Sequence, residues 1–152
     1  SASDSEEQPA YMPDRFESGT LNLPGIFGLH AALSFLTDAQ ILSLDESERR
    51  LAERMLDGLL QNKRVRVVGL PTGAGRVGVI SIDCLTMDNA EAAYRLETEF
   101  GICTRCGLHC APSAHKTLGT FPRGTVRFSI GYGTTEADID AALAALDAVT
   151  AG

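Results

Sequence analysis

The 152 residues suffice for one domain with a core of its own, and an apolar content of 44% fits a globular chain better than a disordered or membrane-embedded one. Lysine and arginine number 13 against 20 acidic residues; the formal net charge of -7 argues against a general nucleic-acid binder, which needs a basic surface. No apolar run is long enough to span a bilayer, and no basic segment followed by an apolar one marks the N-terminus for export. The four cysteines are therefore expected to be reduced thiols in a cytoplasmic protein rather than a disulfide framework.

Residues 1–13 are polar and acidic, with Pro9 and Pro13, and are expected to form a flexible lead-in to a domain over 14–152. The start is unusual, lacking an initiator Met, and suggests a piece of a longer protein. Residues 15–22 carry Gly19 and Asn22 and predict a loop. Pro24 then opens a helix with Ile26, Leu29, Leu33 and Leu36 on one face. Ser43 and Glu46 fit a capping box for a second helix, whose apolar stripe is Leu51, Met55, Leu56, Leu59 and Leu60. Strands are predicted over 65–70 and 77–85. The Gly-rich joint between them lacks the Lys-Ser/Thr of a phosphate loop and precedes a strand, so it reads as a hairpin. Asp88 caps a third helix with Ala93, Leu96 and Phe100 on one face, ending at Gly101. A short strand over 102–105, a helical turn over 115–120 and an alternating strand over 125–132 follow. Thr135 and Asp138 cap the last helix, which turns Ile139, Leu143, Leu146 and Val149 inward. The tally predicts an α+β fold, a small, mainly antiparallel sheet of three or four strands with helices on one face.

The chemistry concentrates in residues 105–112, where Arg105, His109 and Cys110 lie between glycine and proline. Three polar groups so close together suit an accessible loop better than a core, and positive charge beside a thiol favours the nucleophilic thiolate. Cys110 is the candidate nucleophile, and a buried structural thiol is the plain alternative. A rival reading makes Cys103, Cys106, His109 and Cys110 a tetrahedral zinc set, although strand alternation turns Cys103 away and no second ligand pair exists elsewhere. Arg127 falls on the strand face opposite Val126, Phe128 and Ile130; it is either solvated or a bidentate clamp for a carboxylate. Cys84 and Cys103 read as core thiols.

Three motifs in order resemble one known family: Arg15-Phe16-Glu17-x-Gly19-Thr20-x-Asn22, Arg105-x-Gly107-x-His109-Cys110-Ala111 and Arg127-x-Ser129. They look like the C-terminal domain of cysteine desulfurases, members of the class V aminotransferase group of pyridoxal-phosphate enzymes. The resemblance implies that Cys110 accepts sulfur from cofactor-bound L-cysteine as a persulfide, with alanine as product. It implies that Arg127 binds the substrate carboxylate, that Arg105 is a second active-site arginine and His109 the histidine beside the nucleophile, and that Gly19 and Thr20 reach across a homodimer to the partner's cofactor phosphate. It also implies pyridoxal 5'-phosphate in the intact enzyme and a possible sulfur-acceptor protein, with no role for nucleic acid or membrane. The large domain with the Schiff-base lysine is missing, so these residues alone are expected to be inactive and to hold no cofactor covalently. Ser113-Ala114-His115-Lys116 mimics the motif around that lysine but follows the nucleophile loop, where the family has no Schiff base. Cys106 stands where the family has a small or hydroxyl residue, so that oxidation with Cys110 is conceivable, and Tyr132-Gly133-Thr134-Thr135 lacks the family's Asn. An aminotransferase or lyase for another amino acid is the alternative within the group.

Overall fold

The structure is a computed structural model and describes residues 6–17 and 19–151. Its compact units are residues 1–41 and 42–152. Residues 1–5 of the lead-in predicted over 1–13, and Ser18 of the Arg-Phe-Glu motif, lie outside the described residues.

In the first unit, main-chain bonds from Arg15 N–H to Tyr11 O and from Glu17 N–H to Pro13 O close turns ahead of the motif's glycine. Helix α1 spans Leu23–Phe35, with Asn22 as its cap, accepting from the Gly25 N–H at 3.1 Å. The helix forms as predicted, but its apolar residues lie all round rather than on one face; none of α1 is buried, and Leu23, Phe27, Leu29 and Leu33 are all exposed. Leu36 is the C-terminal cap rather than a helical residue.

Helix α2 spans Asp38–Gln61 and begins earlier than its predicted box. The capping box is Thr37 with Gln40: the Gln40 side-chain oxygen accepts from the Thr37 N–H at 3.0 Å, and the Thr37 hydroxyl accepts from the Gln40 N–H at 3.3 Å. Ser43 and Glu46 are therefore interior helical positions. The two boxes share one pattern, and the earlier satisfies the orphan donors first.

Strands β1 (Val65–Val68), β2 (Val79–Cys84), β3 (Arg105–Gly107) and β4 (Thr125–Ser129) form one antiparallel sheet in the order β1-β2-β4-β3. Alternation separates its faces. Val65, Ile80, Ile82, Cys84, Val126 and Phe128 enter the core with Leu51, Met55, Leu56 and Leu59 of α2. Ala92 and Leu96 of α3 (Asn89–Phe100) and Ile139, Ala145, Leu146 and Val149 of α5 (Glu136–Ala151) complete it. The predicted α+β layer, with helices on the apolar face, is the observed one.

Local chemistry sets the remaining ends. Asp88 caps α3 by accepting from the Ala90 N–H, Gly101 takes the left-handed position at its end with φ 69°, and the Asp138 carboxylate accepts from both the Thr135 N–H and hydroxyl ahead of α5. The β1–β2 joint is a hairpin connection, steadied by the Arg76 guanidinium donating to the carbonyls of Leu70 and Val79. β3 starts at Arg105, three residues later than predicted, and a short helix α4 (Pro112–Thr117) replaces the turn expected over 115–120. At the sheet's end, a Cβ on Gly124 would lie 2.2 Å from the Gly107 carbonyl carbon, and both glycines have positive φ.

Candidate active site

The polar face of the sheet carries the site. Register places Ser81, Arg127 and Arg105 in one row across β2, β4 and β3, so two guanidinium-bearing residues face each other directly. Like charges opposite one another destabilise a sheet unless an anion lies between them. Neither arginine has an acidic partner among the described residues, although Arg50, Arg54, Arg66, Arg95 and Arg123 all do. The Nε of Arg127 is also buried without a hydrogen-bond partner. A half-buried guanidinium with a buried, unpartnered Nε has the planar donor geometry that can receive a carboxylate or a similar anion.

The loop after β3 carries the thiol. The Ala111 N–H donates to Leu108 O at 2.8 Å, closing a turn whose central residues are His109 and Cys110. Both have positive φ, 50° and 60°, and they are the only described non-glycine residues that do. Two successive left-handed L-residues cost strain that a glycine or asparagine would avoid, and such strain concentrates at functional positions. Cys110 is exposed, as a nucleophile requires.

His109 is half-buried, and its Nε2 is hydrogen-bonded to Thr125 Oγ1 at 3.2 Å. Its Nδ1 is buried with no partner. Burial lowers its pKa first, reinforced by the charges of Arg127, His115 and Arg105. This corrects one expectation. Burial and the two arginines favour the neutral imidazole, so His109 is not the positive charge expected beside the thiol. A neutral imidazole is suited to moving a proton.

The other predicted residues separate. Cys106 pairs in register with Val126, on the helix-facing side of the sheet, and burial raises its thiol pKa. Cys103 is exposed and precedes the strand, which corrects its assignment to the core. Cys84 is the buried thiol, pushed up to about 11 by burial and the neighbouring Asp83 carboxylate. Among the described residues no three His, Cys, Asp or Glu side chains converge to hold a metal ion, which removes the zinc reading's geometry. Gly19, with φ 85°, and Thr20 lie in the unit of residues 1–41, both exposed.

The sequence holds two lysines, Lys63 and Lys116. Lys116 Nζ lies 5.2 Å from the centre of the Phe121 ring, a cation–π contact on the surface of α4. Three residues escaped the sequence reading. Thr125 could have been found, since it lies two residues before Arg127 on the same strand face. Asn89, which donates to Asp83 and to Gly124 O and accepts from the Cys84 N–H, carried no local signal, and the buried His115 was noticed only as part of the lysine-like motif over 113–116.

Comparison with known proteins adds a family. The sequence model of the class-V aminotransferases matches residues 2–142. Similar curated proteins include the cysteine desulfurase CsdA of Escherichia coli, 31% identical over 89% of this chain, and a cysteine desulfurase of Yersinia pseudotuberculosis, 32% identical over 92%. The chain spans about a third of the length of those relatives, 32% and 33%. Among solved structures, the E. coli CsdA in its S-sulfonic acid form superimposes with a TM-score of 0.78 at 30% identity, covering 90% of this chain and 33% of that one. The apo cysteine desulfurase of Thermococcus onnurineus gives 0.82 at 28% identity, covering 92% and 34%.

Proposed function

The chain belongs to the class-V aminotransferase family, and from that premise we propose that it is the C-terminal domain of a cysteine desulfurase, acting on L-cysteine in the whole enzyme. The observation that carries the reading is the strained turn that exposes Cys110 next in sequence to His109, whose imidazole feels the charges of Arg127 and Arg105. Arg127, with Arg105 opposite, receives the substrate carboxylate and fixes the amino acid's orientation. The Cys110 thiolate attacks the substrate sulfur; an S–S bond forms as the substrate's C–S bond breaks, the bond's electron pair passes to the β-carbon, and that carbon takes up a proton, giving alanine and a persulfide on Cys110. His109, neutral, moves the proton between the thiols and the solvent.

The family implies pyridoxal 5'-phosphate, whose ring withdraws electrons from the substrate's α-carbon when bound. The residues of this chain fit the substrate's side of such a site. They do not fit as the cofactor's covalent anchor: Lys116 is engaged by Phe121, and Lys63 lies in the exposed link between α2 and β1. In this reading the anchoring lysine belongs to sequence beyond these 152 residues, and the 152 residues alone are inactive. Gly19 and Thr20 reach the partner's cofactor phosphate in a homodimer, and residues 14–152 act as one functional domain. The persulfide passes to an acceptor protein in the cytoplasm, a compartment that keeps four free thiols reduced. An aminotransferase or lyase for another amino acid would have no use for a nucleophile in a strained turn.

Cys110→Ala in the full protein tests the reading. Sulfide release from L-cysteine should fall by at least about 100-fold while cysteine still binds. Unchanged release would refute the sulfur-accepting role.

A further inference from the structure

His109 carries a buried, unpartnered Nδ1 on a strained backbone, and a single 3.2 Å hydrogen bond to Thr125 does not fix the plane of an imidazole. The second restraint comes from α4. The His115 ring lies 5.8 Å from the His109 ring, centre to centre, tilted by 41°. His115 is only 6% exposed, and Thr120 only 4%. His115 Nδ1 is hydrogen-bonded to Thr120 Oγ1 at 2.7 Å. Its main chain is anchored too: the His115 N–H donates to Ala111 O, and the Thr120 and Phe121 N–H groups both donate to His115 O. A histidine in so short a helix, nearly sealed from water and tied at both main chain and ring, exceeds what packing requires; Leu or Phe would fill the space without a polar atom to satisfy.

We propose that His115 is a positioning residue for His109: its ring, pinned by Thr120, forms the wall that holds the His109 imidazole between Thr125 and the arginine row and keeps water from its far side. Nothing in the reaction passes through His115. It acts through the orientation of His109 and the dryness around it. The titratable and charged groups that lower the His109 pKa are Arg127 from β4, Arg105 from β3 and His115 from α4, alongside burial. This inference rests on the desulfurase reading for its kinetic consequence but not for its structural one.

The test uses the full protein with 15N-labelled histidine. In the wild type, His109 titrates below the ordinary value of about 6.5. In His115→Ala, water reaches the ring, and the His109 midpoint moves up toward that value. The acid limb of kcat follows it, so that kcat falls about fivefold more at pH near 6 than at pH near 8, while KM for L-cysteine stays within about twofold. Thr120→Val unpins His115 with little change of volume and shifts the midpoint in the same direction; Thr120→Ser, which retains the hydroxyl, restores the wild-type midpoint. An unmoved midpoint in a folded His115→Ala protein or in Thr120→Val overturns the proposal. A shifted midpoint in a protein that releases no sulfide supports the positioning role and overturns the desulfurase reading, so the two failures are distinguishable.

Discussion

At the residue scale, the site depends on groups left without partners. Arg66, Arg95 and Arg123 each find a carboxylate, and these pairs are ordinary surface or half-buried chemistry. Arg127 keeps its Nε buried and free. Arg127→Lys therefore separates charge from geometry. Lysine retains the positive charge but replaces a planar fork with a point, so the carboxylate loses its second hydrogen bond and its orientation. On the proposed reading, kcat/KM for L-cysteine should fall by about 10- to 100-fold, a loss of about 1.4–2.8 kcal/mol, as steady-state kinetics would detect. A variant within twofold of wild type would show that Arg127 serves only as local charge.

At the scale of elements, the sequence was legible wherever local chemistry decided. The alternation of 125–132 placed Arg127 on the face opposite Val126 and Phe128; Asp88, Gly101, Thr135 and Asp138 ended helices where propensity put them. It was illegible where tertiary contact decided. β3 begins at Arg105 because Arg105, Cys106 and Gly107 find partners on β4, information that residues 102–105 do not contain. The start of α2 was missed because two capping patterns compete and the sequence does not rank them. His109 and Cys110 were chosen by chemistry, but their shared left-handed conformation leaves little compositional trace: His is tolerated there, Cys is not a usual residue for it, and two in succession carry no pattern. Gly124 gives this scale its prediction. Alanine there would combine a positive φ with a Cβ inside the Gly107 main chain. The change should cost roughly 2–4 kcal/mol in chemical denaturation, as strain and overpacking together imply. Because Gly107 opens the nucleophile loop, activity should fall more than stability alone accounts for.

At the scale of the whole molecule, the two compact units differ in how they treat apolar surface. Residues 42–152 enclose a closed core of aliphatic side chains from the sheet and three helices. In α1, no residue is buried, and Phe27 and Leu29 are 68% and 61% exposed. A helix that is apolar on all sides normally lies inside a larger body. The 152 residues produced alone should therefore self-associate, with a sedimentation coefficient that rises with concentration, and Phe27→Ser with Leu33→Ser should reduce that association. A concentration-independent monomer in the unsubstituted chain would refute this. Among the described residues no single helix is long and apolar enough to cross a membrane.

The turn at residues 108–111 also constrains how this protein can be improved. Placing Asn-Gly at 109 and 110 would relieve both left-handed residues and suit the turn between β3 and α4 better. It would also delete the thiol and the imidazole. Here a thermostability screen and an activity screen select opposite sequences, and a library biased toward consensus turn residues would discard the reactive pair first.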